Sequence, residues 1–402
     1  MTRTRTAPRL LLAGLLTCAV AALPTVGEPA AAAGPRSRIT VQDLGTLGGS
    51  SSAAGGINER GQVVGHSDTA DGERHAFLWE RGVMRDLGTL GGDESTASGI
   101  NARGQVVGWS HDAEGVQRAF LWERGVMRDL GTPEGGTSWA SGINDRGQVL
   151  VSRYVFHDLD IEQRAYLWDD GVLVDLGVMS DEWPEMQAGD LNEHGWVTGY
   201  APAGPTGVHQ GFLWRDGELT NLGAATGPDG NSYTTALNDA GQVTGHTTAT
   251  EDGVMVAAVW QDGAWTPLGH PGDNSQAIDI NELGTVVGAT QHWNGWEGAR
   301  ATLYRDGEVV DLGAHAPADQ SVAERINDRD QVIGYLQRST ATGVLFSAVL
   351  WQDDRMDVLP RLHPGSTTRA AGINERGQIV GHAATGNGDD THAVLWTTRG
   401  GS

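Results

Sequence analysis

One short segment, with the pattern seen at Ser98–Gly108, recurs eight times along the chain at intervals of 43 to 48 residues. Two further blocks recur with the same period, namely a Trp or Tyr and then an Asp-Leu-Gly triplet or a variant of it. A fixed period of this length is typical of architectures in which one small unit is copied and packed against its neighbours. The repeated asparagine stands at Asn58, Asn101, Asn144, Asn192, Asn238, Asn281, Asn327 and Asn374. The aromatic residue stands at Trp79, Trp122, Trp168, Trp214, Trp260, Tyr304, Trp351 and Trp396.

Each repeat contains four short segments with β character. In the second copy these are strand a at about 95–100, b at 104–109, c at 118–123 and d at 126–131. Runs such as Gln105-Val106-Val107 are short, apolar and β-branched, and Gly-containing turns separate them. Four strands in a repeat of this length predict an all-β fold, a single eight-bladed β-propeller with four strands per blade.

The two ends of the chain favour a closed ring. The eighth repeat finishes after its strand c at Trp396, whereas a lone strand d at 38–45 precedes the first repeat. We therefore expect the N-terminal strand to complete the last blade, because closure removes exposed end units. The predicted domains are a leader at 1–33 and a propeller at 34–402, with repeats at about 52–88, 95–131, 138–177, 186–223, 232–269, 275–313, 321–359 and 367–397.

The block His75-Ala76-Phe77-Leu78-Trp79 resembles the signature of the HAF-repeat family of bacterial extracellular proteins. Other copies depart from it, for example Arg118-Ala119-Phe120 and His392-Ala393-Val394. The resemblance covers about residues 38–397. It implies secretion and a repeat fold, and it brings no established activity or catalytic residues.

The N-terminal segment predicts export. Arg3, Arg5 and Arg9 precede an apolar run, and small residues follow up to Ala33, which is the pattern of a secretory signal peptide. The run is too short for a transmembrane helix, and a lipid anchor on Cys18, the sole cysteine, is disfavoured because Thr17 precedes it. The export signal predicts a secreted, extracellular protein. The net charge of −24 argues against nucleic-acid binding and favours a monomer, because like charge discourages self-association.

Function is expected on the face that carries the b–c and d–a connections, because these vary while the a–b and c–d turns are short and uniform. The most distinctive segments are 153–164, 178–187 and 289–299. Tryptophans there could stack on sugar rings, with polar neighbours for the hydroxyl groups. The candidate ligand-binding residues in these segments are Trp183, His292, Trp293, Trp296 and Glu297.

A second candidate set consists of the residues that directly follow Val-Val-Gly, or its equivalent, in each repeat. These residues could line the end of strand b. The chemistry of this set is irregular, and Ser152 and Ala289 fill two of the places, so it does not predict an eightfold metal ring. Its candidate ligand-binding members are His66, Trp109, Tyr200, His246, Tyr335 and His382.

Neither a catalytic residue nor a metal ligand is predicted. Gly-x-Ser-x-Gly, His-Glu-x-x-His and the P-loop are absent from the sequence. A calcium ion is the one cofactor left open, at acidic pairs such as Asp68 with Asp71, Asp158 with Asp160, and Asp389 with Asp390. The leading hypothesis is a secreted, non-catalytic binding propeller for a glycan or an extracellular protein. The alternatives are an extracellular carbohydrate-active hydrolase or lyase, and a structural matrix protein.

Overall fold

The structure is a computed structural model that describes residues 38–132, 136–157, 160–227, 229–249, 253–270, 273–291, 298–314, 319–340 and 343–399. Within these ranges the regular structure consists of 32 β-strands. No helix long and apolar enough to cross a membrane occurs in them. The predicted leader and the candidates His292, Trp293, Trp296 and Glu297 lie outside the described residues.

The strands form eight four-stranded units that follow the sequence repeat. Unit 1 contains β2 (Gly48–Ile57), β3 (Val63–Thr69), β4 (Arg74–Glu80) and β5 (Val83–Asp86). Unit 2 contains β6 (Gly91–Ile100), β7 (Val106–Asp112), β8 (Gln117–Glu123) and β9 (Val126–Asp129). Unit 3 contains β10 (Thr137–Ile143), β11 (Val149–His157), β12 (Asp160–Asp169) and β13 (Val172–Asp175). Unit 4 contains β14 (Gln187–Leu191), β15 (Val197–Ala203), β16 (Val208–Arg215) and β17 (Glu218–Gly223).

The second half of the chain repeats this order. Unit 5 contains β18 (Ser232–Leu237), β19 (Val243–Thr248), β20 (Met255–Gln261) and β21 (Ala264–Pro267). Unit 6 contains β22 (Asn274–Ile280), β23 (Val286–Gln291), β24 (Arg300–Arg305) and β25 (Glu308–Asp311). Unit 7 contains β26 (Gln320–Ile326), β27 (Val332–Thr340), β28 (Gly343–Gln352) and β29 (Arg355–Val358). Unit 8 contains β30 (Thr368–Ile373), β31 (Gln378–Ala384), β32 (Thr391–Arg399) and the N-terminal β1 (Arg38–Asp43).

Neighbouring strands within each unit pair antiparallel in the order a, b, c, d. Six units are separate four-stranded sheets, while units 1 and 2 share one eight-stranded sheet through a single parallel bridge between Arg74 and Glu94. The a strands of successive units contact one another, so they are the innermost strands. The fold is therefore all-β and propeller-like, as the repeat predicts.

The N-terminal strand closes the ring, as the offset of the two chain ends predicts. Strand β1 pairs antiparallel with β32, with Arg38 opposite Arg399 and Asp43 opposite Val394. Leu44 continues the contact, because its N–H donates to the Ala393 carbonyl at 2.9 Å. The last unit therefore takes its outer strand from the opposite end of the chain.

The core lies between the units. It divides into eight hydrophobic clusters, and each cluster draws its side chains from two successive units, with units 8 and 1 sharing the cluster around Phe77 and Leu395. Trp396 and Phe77 are completely buried. Burial of each such side chain contributes about 1.5–3 kcal/mol to the stability of the fold. An isolated unit would leave these side chains exposed, because each cluster forms between two units.

Element boundaries differ from the prediction in two respects. In unit 2, strand a begins earlier than expected, at Gly91, and strand d ends at Asp129. The segment 153–164, expected to be a loop, is largely a hairpin formed by the extended β11 and β12, in which Tyr154 pairs with Gln163. The pairing of β11 with β12 continues past the repeat motif as far as His157 opposite Asp160.

Candidate functional site

The eight repeated asparagines form a closed ring of hydrogen bonds. The Asn58 side-chain Nδ2 donates to the Asn101 carbonyl of the next unit at 2.9 Å, and the pattern continues until Asn374 donates to the Asn58 carbonyl at 3.1 Å. Each Oδ1 meanwhile accepts N–H groups of its own turn, for example that of Gln62 at 3.1 Å. All eight asparagines are buried. They join the units to one another, and this role leaves their amides occupied.

A second ring, made of carboxylates, lies beside the first on the face of the a–b and c–d turns (the turn face). In seven of the eight units the residue after the asparagine is a carboxylate that accepts a backbone hydrogen bond from the same position of the preceding unit, as where the Asp145 N–H donates to Glu193 at 3.0 Å. Burial and the neighbouring carboxylates raise the pKa of Glu193, Glu282 and Glu375. The carboxylates are Glu59, Asp145, Glu193, Asp239, Glu282, Asp328 and Glu375, and Ala102 takes the remaining place.

The aspartate of the Asp-Leu-Gly block also has a local role. Asp86 Oδ1 accepts the Gly88 N–H at 2.7 Å, and the Asp86 carboxylate lies 2.8 Å from His75 Nδ1. Equivalent turn bonds occur at Asp129 and Asp175. These residues shape the turn that follows strand d.

The opposite face carries the b–c and d–a connections (the loop face). Trp183 lies in the connection between units 3 and 4, with 44% of its surface exposed. Its indole lies against Gly207, in the b–c turn of unit 4. This contact fixes Trp183 on the end of unit 4 while leaving much of the ring accessible.

The residues after Val-Val-Gly lie opposite strand a. Each pairs with the residue five positions before the repeated asparagine, as His66 pairs with Ala53 and Tyr200 with Gln187. His66 and His382 occupy neighbouring units, and burial lowers the pKa of each. The strand a residues that face these histidines, Ala53 and Arg369, therefore belong to the same surface, although the repeat motif does not mark them.

Two more members of this set have aromatic or cationic neighbours. The Trp109 ring lies 5.5 Å from that of His111. Tyr335 packs edge-on to Phe346, and the Arg369 guanidinium of unit 8 lies 3.9 Å from the Tyr335 ring centroid. Since Arg369 also lies 3.7 Å from Glu324, this group joins units 7 and 8.

Tyr200 and His246 are brought together by a tyrosine between them. Tyr233 meets Tyr200 edge-on at 5.0 Å, while its ring lies nearly parallel to those of His246 at 5.2 Å and His209 at 5.7 Å. Tyr200 in turn donates to Gln187 Oε1 at 2.5 Å. This aromatic row crosses from unit 4 to unit 5. Burial lowers the pKa of His246 to about 4, so that imidazole is neutral in the row.

An open pocket of about 570 Å³ lies where the aromatic row reaches the loop face of unit 5 (the unit 5 pocket). It is formed by Thr226, Asp229, Gly230, Asn231, Tyr233, Thr248, Gly253 and Met255. Asn231 Oδ1 accepts the His209 N–H at 3.1 Å, which fixes the amide at the pocket wall. A side chain at Gly230 would lie 2.4 Å from Thr226 Oγ1, so glycine is needed there.

Sequence reasoning missed the central residues of this pocket. Tyr233 stands five positions before Asn238 on strand a, and the register that places it beside His246 follows from aligning the repeats. Asn231 and Thr226 carry no such signal, because they belong to a connection of irregular length.

No group of three or more His, Cys, Asp or Glu side chains that could hold a metal ion occurs within the described ranges. Asp158 falls outside them, and the Asp160 side chain is not described. Asp68 lies 3.9 Å from Arg74. The calcium hypothesis stays a prediction.

No protein-family model matches the chain. No curated protein matches it. The resemblance to HAF repeats therefore stays a prediction.

Solved structures with a similar fold include two peptidases and a lectin. A puromycin-hydrolyzing peptidase of Mycobacterium tuberculosis is 12% identical with a TM-score of 0.49, covering 84% of this chain and 57% of that one. Pyrococcus horikoshii acylaminoacyl peptidase is 12% identical with a TM-score of 0.48, covering 85% and 59%. Aleuria aurantia lectin is 12% identical with a TM-score of 0.32, covering 77% and 95%. The chain spans less than two thirds of either peptidase, and these likenesses concern the fold alone.

Proposed function

We propose that this chain is an extracellular, non-catalytic binding protein that holds a glycan on its loop face. The observation that carries the proposal is the unit 5 pocket. Its volume of about 570 Å³ lies in the range of small-ligand sites. The export signal expected at 1–33 and the resemblance to extracellular repeat proteins support the location.

The chemistry of the pocket favours a ligand rich in hydroxyl groups. Thr226 offers a hydroxyl, Asn231 an amide and Asp229 a carboxylate, so donors and acceptors are both available. The Tyr233 ring already stacks with two imidazoles, those of His209 and His246, so stacking on a sugar is not expected of it. Recognition is therefore expected through hydrogen bonds to the hydroxyl groups of the sugar, with the Met255 side chain against the apolar face of the sugar ring.

The pocket is separate from Trp183, which lies in the connection between units 3 and 4 and contacts unit 4 at Gly207. Trp183 remains a candidate for a neighbouring sugar residue of a longer glycan, since its exposed indole offers the flat surface that the Tyr233 ring does not. The two sites would then act together on an oligosaccharide.

Binding to a broad panel of polysaccharides and oligosaccharides tests the proposal, with and without Ca²⁺. We expect saturable binding to one glycan class, weakened at least tenfold by a combined Thr226→Ala/Asp229→Ala variant, because each bond lost costs on the order of 1 kcal/mol. Glu218→Ala, an exposed change on the outer strand of unit 4, is the matched control and should bind normally. Absence of binding to every glycan, or equal binding by both variants, would contradict the proposal.

A further inference from the structure

A groove on the turn face, between units 6 and 7, is lined by several polar side chains that make no hydrogen bond or ion pair within the described residues. Its volume is about 390 Å³, and it lies on the opposite face of the molecule from the unit 5 pocket. Its apolar wall comes from Leu303, Val310, Leu312, Val332 and Trp351. Charged side chains of units 6 and 7 surround the opening.

The indole of Trp351 is an unsatisfied donor in this wall. Trp351 is only 3% exposed, and its Nε1 makes no hydrogen bond. By contrast, the equivalent Trp396 donates its Nε1 to the Pro360 carbonyl at 2.7 Å. A buried N–H without an acceptor costs about 1–3 kcal/mol, so a ligand that supplies an acceptor would recover that energy.

Unit 7 also departs from the repeat at the rim of the groove. In the described c–d turns of the other units, the second turn residue is glycine with a positive φ, as at Gly82 and Gly307. Unit 7 has Asp354 at that place, with φ of 56°. A non-glycine residue in the left-handed region is strained by roughly 1 kcal/mol, and such strain collects at functional positions.

The side chains of Asp354 and its neighbour Arg355 make no hydrogen bond or ion pair within the described residues, and neither does the Arg329 guanidinium of the same groove. The other acids of the groove are engaged: Asp330 accepts from Arg305 at 2.9 Å, and Asp311 accepts the Gly313 N–H at 2.7 Å. Asp353 accepts from Gln352 at 3.2 Å. The groove therefore presents the free guanidinium groups of Arg355 and Arg329 and one free carboxylate, beside an apolar wall that contains the unpaired indole N–H of Trp351.

We propose that the groove between units 6 and 7 binds a small zwitterion, an α-amino acid with an apolar side chain. Its carboxylate would accept from Arg355 and the Trp351 indole, its ammonium would meet Asp354, and its side chain would lie against Leu303 and Val332. Guanidinium groups beside a free carboxylate match a zwitterion better than an anion, because the carboxylate would repel an anion and attract an ammonium group. The overall charge of −24 also disfavours a simple anion.

Titration with L-leucine, followed by the Trp351 indole resonance in a proton–nitrogen correlation spectrum, tests the inference. The resonance is assigned by its loss in Trp351→Phe. We expect a saturable shift with L-leucine, and none with 4-methylpentanoate or 3-methylbutylamine, which each lack one of the two charges. A shift with the carboxylate alone would overturn the zwitterion assignment, and no shift with L-leucine would overturn the site.

Two variants add to this test without threatening the fold. Asp354→Gly restores the residue found at this turn position in other units, so it should fold at least as well while weakening L-leucine binding at least tenfold. Arg376→Gln, on the turn face of unit 8, is the control and should leave binding unchanged. Unaltered binding in Asp354→Gly would refute the role of the carboxylate. The result does not depend on glycan binding, since the two sites lie on opposite faces.

Discussion

At the scale of single residues, two exceptions to the repeat compensate for each other. In six units the asparagine Nδ2 also donates to a glutamine four residues later, as Asn58 does to Gln62 at 2.8 Å. Unit 6 has Thr285 at this place, and Asn281 donates instead to Asp330 of unit 7 at 3.0 Å. Asp330 itself stands where the other repeats have glycine, with φ of 55°. The unusual aspartate thus replaces the acceptor that the unusual threonine lacks.

A double-mutant cycle measures this compensation. Asp330→Gly should cost about 1 kcal/mol more in the native background than in a Thr285→Gln background, because the introduced amide supplies Asn281 with its acceptor. Relief of backbone strain at position 330 is common to both backgrounds and cancels. Urea denaturation of the four proteins gives the coupling, and a coupling near zero would show that Asn281 does not depend on Asp330.

At the scale of elements, the a–b turns form a chain of backbone-to-carboxylate bonds with one gap. The Glu59 N–H makes no hydrogen bond within the described residues, because the next unit has Ala102 at the position where the other units have an acceptor carboxylate. In every other a–b turn of the ring the equivalent N–H donates to a carboxylate of the next unit, as the Ala102 N–H donates to Asp145 Oδ1 at 2.7 Å. The turn between units 1 and 2 is therefore the weakest link of the carboxylate ring.

Ala102→Asn should strengthen that link. An asparagine oxygen can accept the Glu59 N–H without adding charge, so we expect a gain of about 0.5–1 kcal/mol in the free energy of unfolding. Ala102→Asp should gain less, because it places another carboxylate beside Glu59 and Asp145. Thermal unfolding at moderate ionic strength checks the order; equal stability of both variants and the native protein would argue against the gap.

The N-terminal strand makes a second prediction at this scale. Removal of residues 1–43 leaves β32 without its outer neighbour and uncovers the cluster packed by Ile39 and Val41, so the midpoint of thermal unfolding should fall by about 10 °C or more. Removal of residues 1–37 should leave it unchanged. Calorimetry of the two truncations makes the comparison, and equal midpoints would mean that β1 does not close the ring.

The sequence predicts the units well and their connections poorly, for physical reasons. Period and β-rich runs identify the strands because strand spacing repeats in every copy, and the offset ends predict the β1–β32 pair. The bonds from Asn58 to Asn101, or from Asn281 to Asp330, join turns of different units, and one repeat read alone contains no sign of them. The unit 5 pocket is harder still, because Asn231 and Thr226 belong to a connection that differs from those of the other repeats in length or in sequence.

At the scale of the whole molecule, acidic groups crowd the inner strands of a chain that is already strongly negative. Asp279 lies on the innermost strand of unit 6, where it accepts the Ile326 N–H of unit 7 at 2.9 Å. Burial, with a smaller contribution from the Asp190 charge, raises the pKa of Asp279 from 3.8 to about 6. Its charged form therefore opposes folding, even though its hydrogen bond joins two units.

Asp279→Asn should consequently stabilise the protein in a pH-dependent way. Because the folded pKa exceeds the unfolded one, the native carboxylate destabilises the fold at neutral pH and ceases to do so below about pH 4. The advantage of the variant should reach up to about 3 kcal/mol at pH 7 and disappear in acid, since the amide oxygen can still accept the Ile326 N–H. Asp112→Asn is the contrast: its bond to Arg118 lowers the pKa of Asp112, so that variant should lose stability at pH 7 and match the native protein in strong acid. Denaturation curves from pH 2 to 8 test both signs. An advantage of Asp279→Asn that stays constant between pH 4 and 8 would contradict the assignment of a buried carboxylate with a raised pKa to the inner strand.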